Sequence, residues 1–293
     1  MKAKVLTRSY LADQLPPRPR HAHKGDFGRI LVVAGSRGMA GAAILSARAA
    51  LKAGAGLVTV ACPAGIQKTI ACALPEAMTF AACAGDTFTA AAAARVAAFA
   101  RVKKMDVLLV GPGLGASAGA RSFALKLLAA LDLPAVVDAD ALNALAAGPR
   151  PLKLKTGSSI ITPHPGEAAR LLGKKIADRP AAAAALAALT GSTAVLKGPG
   201  TLVCGAGKLY KNISGGPELA KGGSGDVLAG LTAGFYAQNG LARGFTPETA
   251  AGSAALAVFL HGLCGSLAAK KYTERCVLAG ELLDFLPAAL GCL

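Results

Sequence analysis

The 293-residue chain has no tryptophan, and Phe and Tyr together supply only 4% of it. Since 53% of its residues are nonetheless hydrophobic, the core must be built from aliphatic and small side chains packed closely. Acidic residues are scarce as well: 16 Asp and Glu stand against 32 Lys and Arg, a formal net charge of +16. Such a balance favours anionic partners. The basic residues are scattered, however, with no long run, no interleaved aromatics and no zinc-finger or RNP-like spacing. That pattern excludes the common nucleic-acid modules and points to phosphorylated small molecules, so no nucleic-acid partner is expected.

No Cys-x-x-Cys occurs among the seven cysteines (62, 72, 83, 204, 264, 276 and 292). Their odd number and wide spacing predict reduced thiols in a cytoplasmic protein. Residues 1–24 lack an apolar h-region, so no secretory signal is expected. The uncharged stretch 249–269 has the length of a bilayer span, but its Ala, Gly and Ser content and its His261 predict a helix buried in a core. No membrane partner is expected either.

What is present is an alternation of strands and helices. "RILVVAG" (29–35) reads as a strand ending at a glycine, and 40–56 as a helix stopped by Gly54 and Gly56. "LVTVACP" (57–63) and "DVLLVGPGLG" (106–115) repeat the strand signal. Strand, polar turn and helix follow in 133–145 and again in 158–172. Residues 192–212 read as a buried strand and a hairpin around 205–207. The alanine-rich pieces 90–100 and 181–188 have high helix propensity. This pattern predicts an α/β protein with a mostly parallel sheet covered by helices on both faces. The glycine and polar turns would then converge on the rim beyond the carboxyl ends of the strands.

Three stretches on that rim carry candidate chemistry. In "AKGGSGDVLAG" (220–230) a carboxylate follows a glycine turn at a helix start. Gly222, Gly223 and Gly225 let backbone approach an anion, the helix dipole favours it, and Asp226 is placed to accept a proton. An ordinary helix-capping Asp is the alternative there. In "ITPHPGEAARLL" (161–172), His164 is placed to bond a substrate amide or phosphate, and Glu167 to hold a metal directly or through water. A capping acid beside a turn histidine is the alternative. In "VLKGPGTLV" (195–203), Lys197, Gly198, Pro199, Gly200 and Thr201 combine a cation with a glycine turn suited to nucleotide phosphate or ribose; a lysine before an ordinary hairpin turn is the alternative. "GSRGMAGAA" (35–43) has the wrong glycine spacing for a dinucleotide fingerprint, and 173–175 is no P-loop. The serine-hydrolase elbow is missing too.

Taken in order, "HKGDFGRILVVAGS", "GMAGAA", "GAGLVTV", "GPGLG", "DADALNAL", "TPHPGEAARLL", "VLKGPGTLV" and "AKGGSGDVLAG" resemble the ADP- or ATP-dependent NAD(P)H-hydrate dehydratases of the ribokinase-like superfamily, over roughly residues 23–288. The resemblance implies a ribokinase-like three-layer sandwich with a lead over 1–22 and a single domain over 23–293. It implies repair of hydrated NADH and NADPH through phosphorylation of the ring hydroxyl by ADP or ATP, followed by loss of phosphate. Asp226 then matches the base, and Ala42, Gly113, His164 and Asp226 match positions touching the hydrated dinucleotide. Residues 197–201 and Gly225 match the adenine-nucleotide segment, and Glu167 the acid associated with Mg²⁺. Gly216-Pro217 stands where many relatives carry Asn-Pro, and Ser224 where Thr is usual. The resemblance further implies a homo-oligomer, often a tetramer, working with a separate NAD(P)H-hydrate epimerase. A ribokinase-like kinase of a small alcohol, or a nucleotide-binding protein without catalysis, would share the glycine loop and Asp226.

Overall fold

Period-two alternation of apolar side chains decides which way each strand faces. In the computed structural model, which describes residues 2–149 and 153–293, ten strands form one sheet among the described residues. They are β1 (Lys4–Val5), β2 (Arg29–Val33), β3 (Leu57–Pro63), β4 (Met78–Cys83), β5 (Val107–Val110), β6 (Ala135–Val137), β7 (Ile160–Ile161), β8 (Thr193–Leu196), β9 (Leu202–Gly205) and β10 (Lys208–Lys211). Their spatial order is β1-β10-β9-β8-β7-β6-β5-β2-β3-β4. Only β9 runs against the rest, because it forms the hairpin with β10 and pairs antiparallel to β8.

Ile30 and Val32 point into one apolar cluster and Leu31 and Val33 into the other; Val107 and Leu109 oppose Leu108 and Val110 in the same way. The first cluster is closed by α1 (Arg8–Ala12), α2 (Ala40–Lys52), α3 (Ala64–Ala73), α9 (Ser224–Arg243), α10 (Pro247–Tyr272) and α11 (Leu286–Leu290). The second is closed by α4 (Ala92–Val102), α5 (Ala118–Ala130), α6 (Ala139–Ala147), α7 (Pro165–Leu172) and α8 (Arg179–Thr190). The expected three layers are therefore present. The lead residues take part in them: β1 adds an edge strand beside β10, and Leu11 of α1 is fully buried.

The uncharged stretch 249–269 lies inside α10, whose apolar length suits a bilayer but whose most hydrophobic window is 83% buried within the protein. The helix stands in the core, as its small-residue content predicts.

Small residues also set how close α9 comes to α2. A Cβ at Gly230 would lie 2.1 Å from the Ser46 carbonyl oxygen, and one at Gly234 2.6 Å from that of Ala50. Backbone occupies the space, so neither neighbour has a side chain to swing away. Gly230→Ala is expected to destabilise the protein by about 1–3 kcal/mol through overpacking, measured by urea unfolding.

Candidate functional site

The three adjacent strands β6, β7 and β8 each hand over to a polar residue: Asp138, Thr162 and Lys197. These meet across the sheet end. Asp138 Oδ1 accepts from Thr162 Oγ1 at 2.8 Å and from Lys197 Nζ at 2.7 Å. A second carboxylate approaches from α7, where Glu167 Oε2 lies 4.0 Å from Lys197 Nζ. Burial pulls the Lys197 ammonium down, but the two carboxylates outweigh it and hold its pKa above the ordinary value. Burial raises Glu167 in turn, against the lowering effect of Lys197.

The proline-bounded turn before α7 has a clear local cause. His164 caps the helix, its Nδ1 accepting from the Gly166 N–H at 3.0 Å, while its own N–H donates to Glu167 Oε2 at 2.8 Å. Pro165 fills the first helical position, where no N–H is needed. The pair thus forms a capping box, so the ordinary structural role weighed from the sequence is real. The His164 ring is half exposed and also faces Glu167 Oε1 at 3.4 Å.

At α9 the capping residue is Gly223, with φ +90°, not Asp226. Asp226 is the third helical residue, so it is not held as a cap. Among the described residues its carboxylate has no hydrogen-bond or ion-pair partner. Burial, then the charge of Asp138, push its pKa up to about 6, with Lys197 opposing and Asp140 adding. Lys197 Nζ stands 3.4 Å from the point a Cβ on Gly225 would occupy, which places the ammonium against this same first turn. Ser224 Oγ lies 3.2 Å from His261 Nε2, and burial pushes that histidine down to about 4.

The other expected residues enter through α2. Ser46 Oγ donates to the Asp226 carbonyl at 3.2 Å, and Ala42 sits one turn earlier on the same helix face. A Cβ at Gly113 would be 3.0 Å from that of Ala42, so the two are neighbours. Gly113 has φ +62°, and its carbonyl accepts from Ser36 Oγ at 2.9 Å. The Gly115 N–H donates to Asp140 Oδ2 at 2.8 Å. Residues 197–201 form a turn closed by Thr201 Oγ1 donating to the Gly198 carbonyl at 2.9 Å. Arg179 clamps that turn, donating to the carbonyls of Leu196, Lys197 and Pro199.

Ala42, Gly113, Asp226, Gly225, Lys197, Glu167 and His164 therefore fall along one run of strand ends and helix starts. A cavity of about 360 Å³ lies elsewhere, lined by Arg18, Phe27, Gln238 and Leu241 among others, and includes none of them. Asp138, Arg179 and His261 escaped the sequence reading as site residues. Asp138 had a signal, because it opens the acidic turn of "DADALNAL"; Arg179 and His261 act across the fold and had none. Direct ligation of Mg²⁺ by Glu167 does not fit this arrangement. One of its oxygens takes the His164 N–H, the other faces the His164 ring, and a lysine ammonium stands beside it. Among the described residues no group of three His, Cys, Asp or Glu gathers to hold a metal.

A mostly parallel sheet whose strand ends gather a glycine turn, a lysine and an acid unpaired among the described residues defines an α/β protein with a polar rim. Comparison with known proteins gives the particular family. Residues 30–288 match the model of NAD(P)H-hydrate dehydratase. The ADP-dependent (S)-NAD(P)H-hydrate dehydratase of Listeria monocytogenes is 34% identical, over 98% of this chain and 96% of that protein. The bifunctional NAD(P)H-hydrate repair enzyme of Moorella thermoacetica is 43% identical over 98% of this chain. This chain spans about half the length (54%) of that bifunctional relative. The solved ADP/ATP-dependent NAD(P)H-hydrate dehydratase of Bacillus subtilis, co-crystallised with ATP and Mg²⁺, superposes with a TM-score of 0.81 at 30% identity, covering 100% of this chain and 99% of that one. The chain belongs to the NAD(P)H-hydrate dehydratase family, and its fold is the ribokinase-like one expected.

The raised pKa of Asp226 has a signed consequence for stability. With about 6 in the folded protein and an ordinary carboxylate value near 3.9 when unfolded, the folded state holds the proton more tightly. Stability at this residue is thus lost as pH rises from the unfolded to the folded pKa. Asp226→Asn is expected to melt higher than wild type above pH 6, with the gain vanishing near pH 4. Calorimetry of both proteins across that range measures it.

Proposed function

We propose that this chain repairs hydrated NADH and NADPH, restoring the dihydronicotinamide at the expense of ADP or ATP. The observation that carries this reading is the Asp226 carboxylate, unpaired and half buried, with the Lys197 ammonium beside the same helix turn. An ion pair would lower the basicity of a carboxylate; here burial and Asp138 outweigh Lys197 and raise it.

In the proposed reaction the hydrated ring presents its hydroxyl between Asp226 and the glycine turn. Asp226 takes the hydroxyl proton as the oxygen attacks the terminal phosphorus of the nucleotide, whose bridging P–O bond breaks. Lys197 and the backbone N–H groups opening α9 offset the charge on the transferred group. The ring carbon–oxygen bond then breaks, phosphate leaves with the bonding electrons, and a proton on the neighbouring ring carbon passes to solvent, its C–H electrons forming the restored double bond. The Gly198–Thr201 turn, clamped by Arg179, is the proposed seat of the adenine nucleotide. Ala42, Gly113 and His164 are the proposed contacts of the hydrated dinucleotide. Mg²⁺, carried in on the nucleotide phosphates, would neutralise their charge, and Glu167 would reach it only through water.

The proposed unit is the domain over 23–293, with the described part of the lead (2–22) pinned to the sheet by β1. All seven cysteines are free thiols, which supports a reducing, cytoplasmic setting. Because the proposed reaction takes one epimer of the hydrate, a partner that interconverts the epimers belongs to the proposal.

Incubation of hydrated NADH with the protein, Mg²⁺ and ADP or ATP is expected to restore the dihydronicotinamide absorbance. Asp226→Asn should bind nucleotide as wild type does but lose roughly 10²–10⁴-fold in kcat. The wild-type rate should rise with pH through about 6 as Asp226 ionises. A variant with unchanged kcat would remove Asp226 from the chemistry.

A further inference from the structure

Lys197 stands where a pair of carboxylates would otherwise hold a cation. Its side chain is 18% exposed, with Nζ 2.7 Å from Asp138 Oδ1 and 4.0 Å from Glu167 Oε2. Both acids are buried, and buried carboxylates require either a counter-charge or several donors. Asp138 has one neutral donor, the Thr162 hydroxyl; Glu167 has the His164 N–H. Neither of these donors brings a positive charge; the half-exposed His164 ring faces Glu167 Oε1 alone at 3.4 Å, and among the described residues the ammonium is the charged group set against both acids. Its lysine continues directly from β8, and its carbonyl is gripped by Arg179, so the stem is fixed at its root. The same Nζ also looks onto the first turn of α9 beside Gly225.

We propose that Lys197 is the built-in cation of this acid pair: Asp138 and Glu167 hold an ammonium at the start of α9 in the seat that a divalent ion would otherwise take. Asp138 is thereby a positioning residue, acting on the phosphate region through Lys197. A divalent ion then has no seat in the nucleotide-free protein and enters only on the phosphates of its nucleotide. The inference rests on the geometry of three strand ends and does not depend on which hydroxylated substrate the protein takes.

Mn²⁺, followed by electron paramagnetic resonance, is the probe, titrated into the full chain without nucleotide. Wild type is expected to show no saturable site. Lys197→Met, which leaves the two carboxylates uncompensated, should gain one site per chain at least roughly tenfold tighter than any wild-type binding. Lys197→Met combined with Asp138→Asn should lose that site again. Equal Mn²⁺ binding by wild type and Lys197→Met, whether tight or absent, would overturn the proposal, as would a gained site that the double variant keeps. Should circular dichroism show Lys197→Met unfolded, amine acylation read by peptide mass spectrometry decides. Lys197 should react at least about tenfold more slowly than the exposed lysines in wild type, because its ammonium is held protonated, and faster in Asp138→Asn. Labelling of Lys197 at the surface rate, or indifference to Asp138→Asn, would equally sink it.

Discussion

The contact between Lys197 and Asp138 joins residues 59 positions apart, and it exists only because β6, β7 and β8 lie side by side in parallel register. Strands that run the same way bring their carboxyl ends to one edge. There the chain must satisfy whatever polar groups it has placed. A buried aspartate, a threonine and a lysine do so jointly, and Glu167 joins them from the next helix. The electrostatics of the rim follow from that arrangement. Asp138 anchors the ammonium, and its charge helps lift the pKa of Asp226, which is unpaired among the described residues.

The position of Asp226 is set from the other face of the sheet. Helix α9 is buried along most of its length, and it lies against α2 through Gly230 and Gly234. Ser46 ties the two helices at the Asp226 carbonyl. Moving α9 outward by the width of a methyl group would therefore move the acid away from the strand ends. Packing of small residues in the core and placement of the Asp226 carboxylate at the rim are one constraint, which gives the low aromatic content of the chain a structural meaning.

Local signals carried much of the architecture. The β-branched runs became strands and the alanine-rich pieces became helices, with boundaries displaced by a few residues. The helix expected over 40–56 ends at Lys52, two residues before the first of the glycines, and α9 begins at Ser224, ahead of the carboxylate expected at the helix start. In the second case the left-handed conformation of Gly223 lets the helix start earlier, inside the glycine run. The turn around His164 was legible as a capping arrangement because a capping box spans only four residues.

The amino-acid sequence by itself determined the alternation of elements, the two-sided burial of the strands, the glycine turns and the identity of the acid and lysine on the rim. Those depend on periodicity and on residues near one another in the chain. Only the tertiary structure decided that Asp138 pairs with Lys197, that Arg179 clamps the 196–199 turn, that His261 meets Ser224 and that Asp226 has no partner among the described residues. Each of these is a contact, or the lack of one, set by the order of strands in the sheet and the depth to which a helix packs. Electrostatic state depends on burial and on charges that arrive from elsewhere in the chain, so no local pattern encodes it.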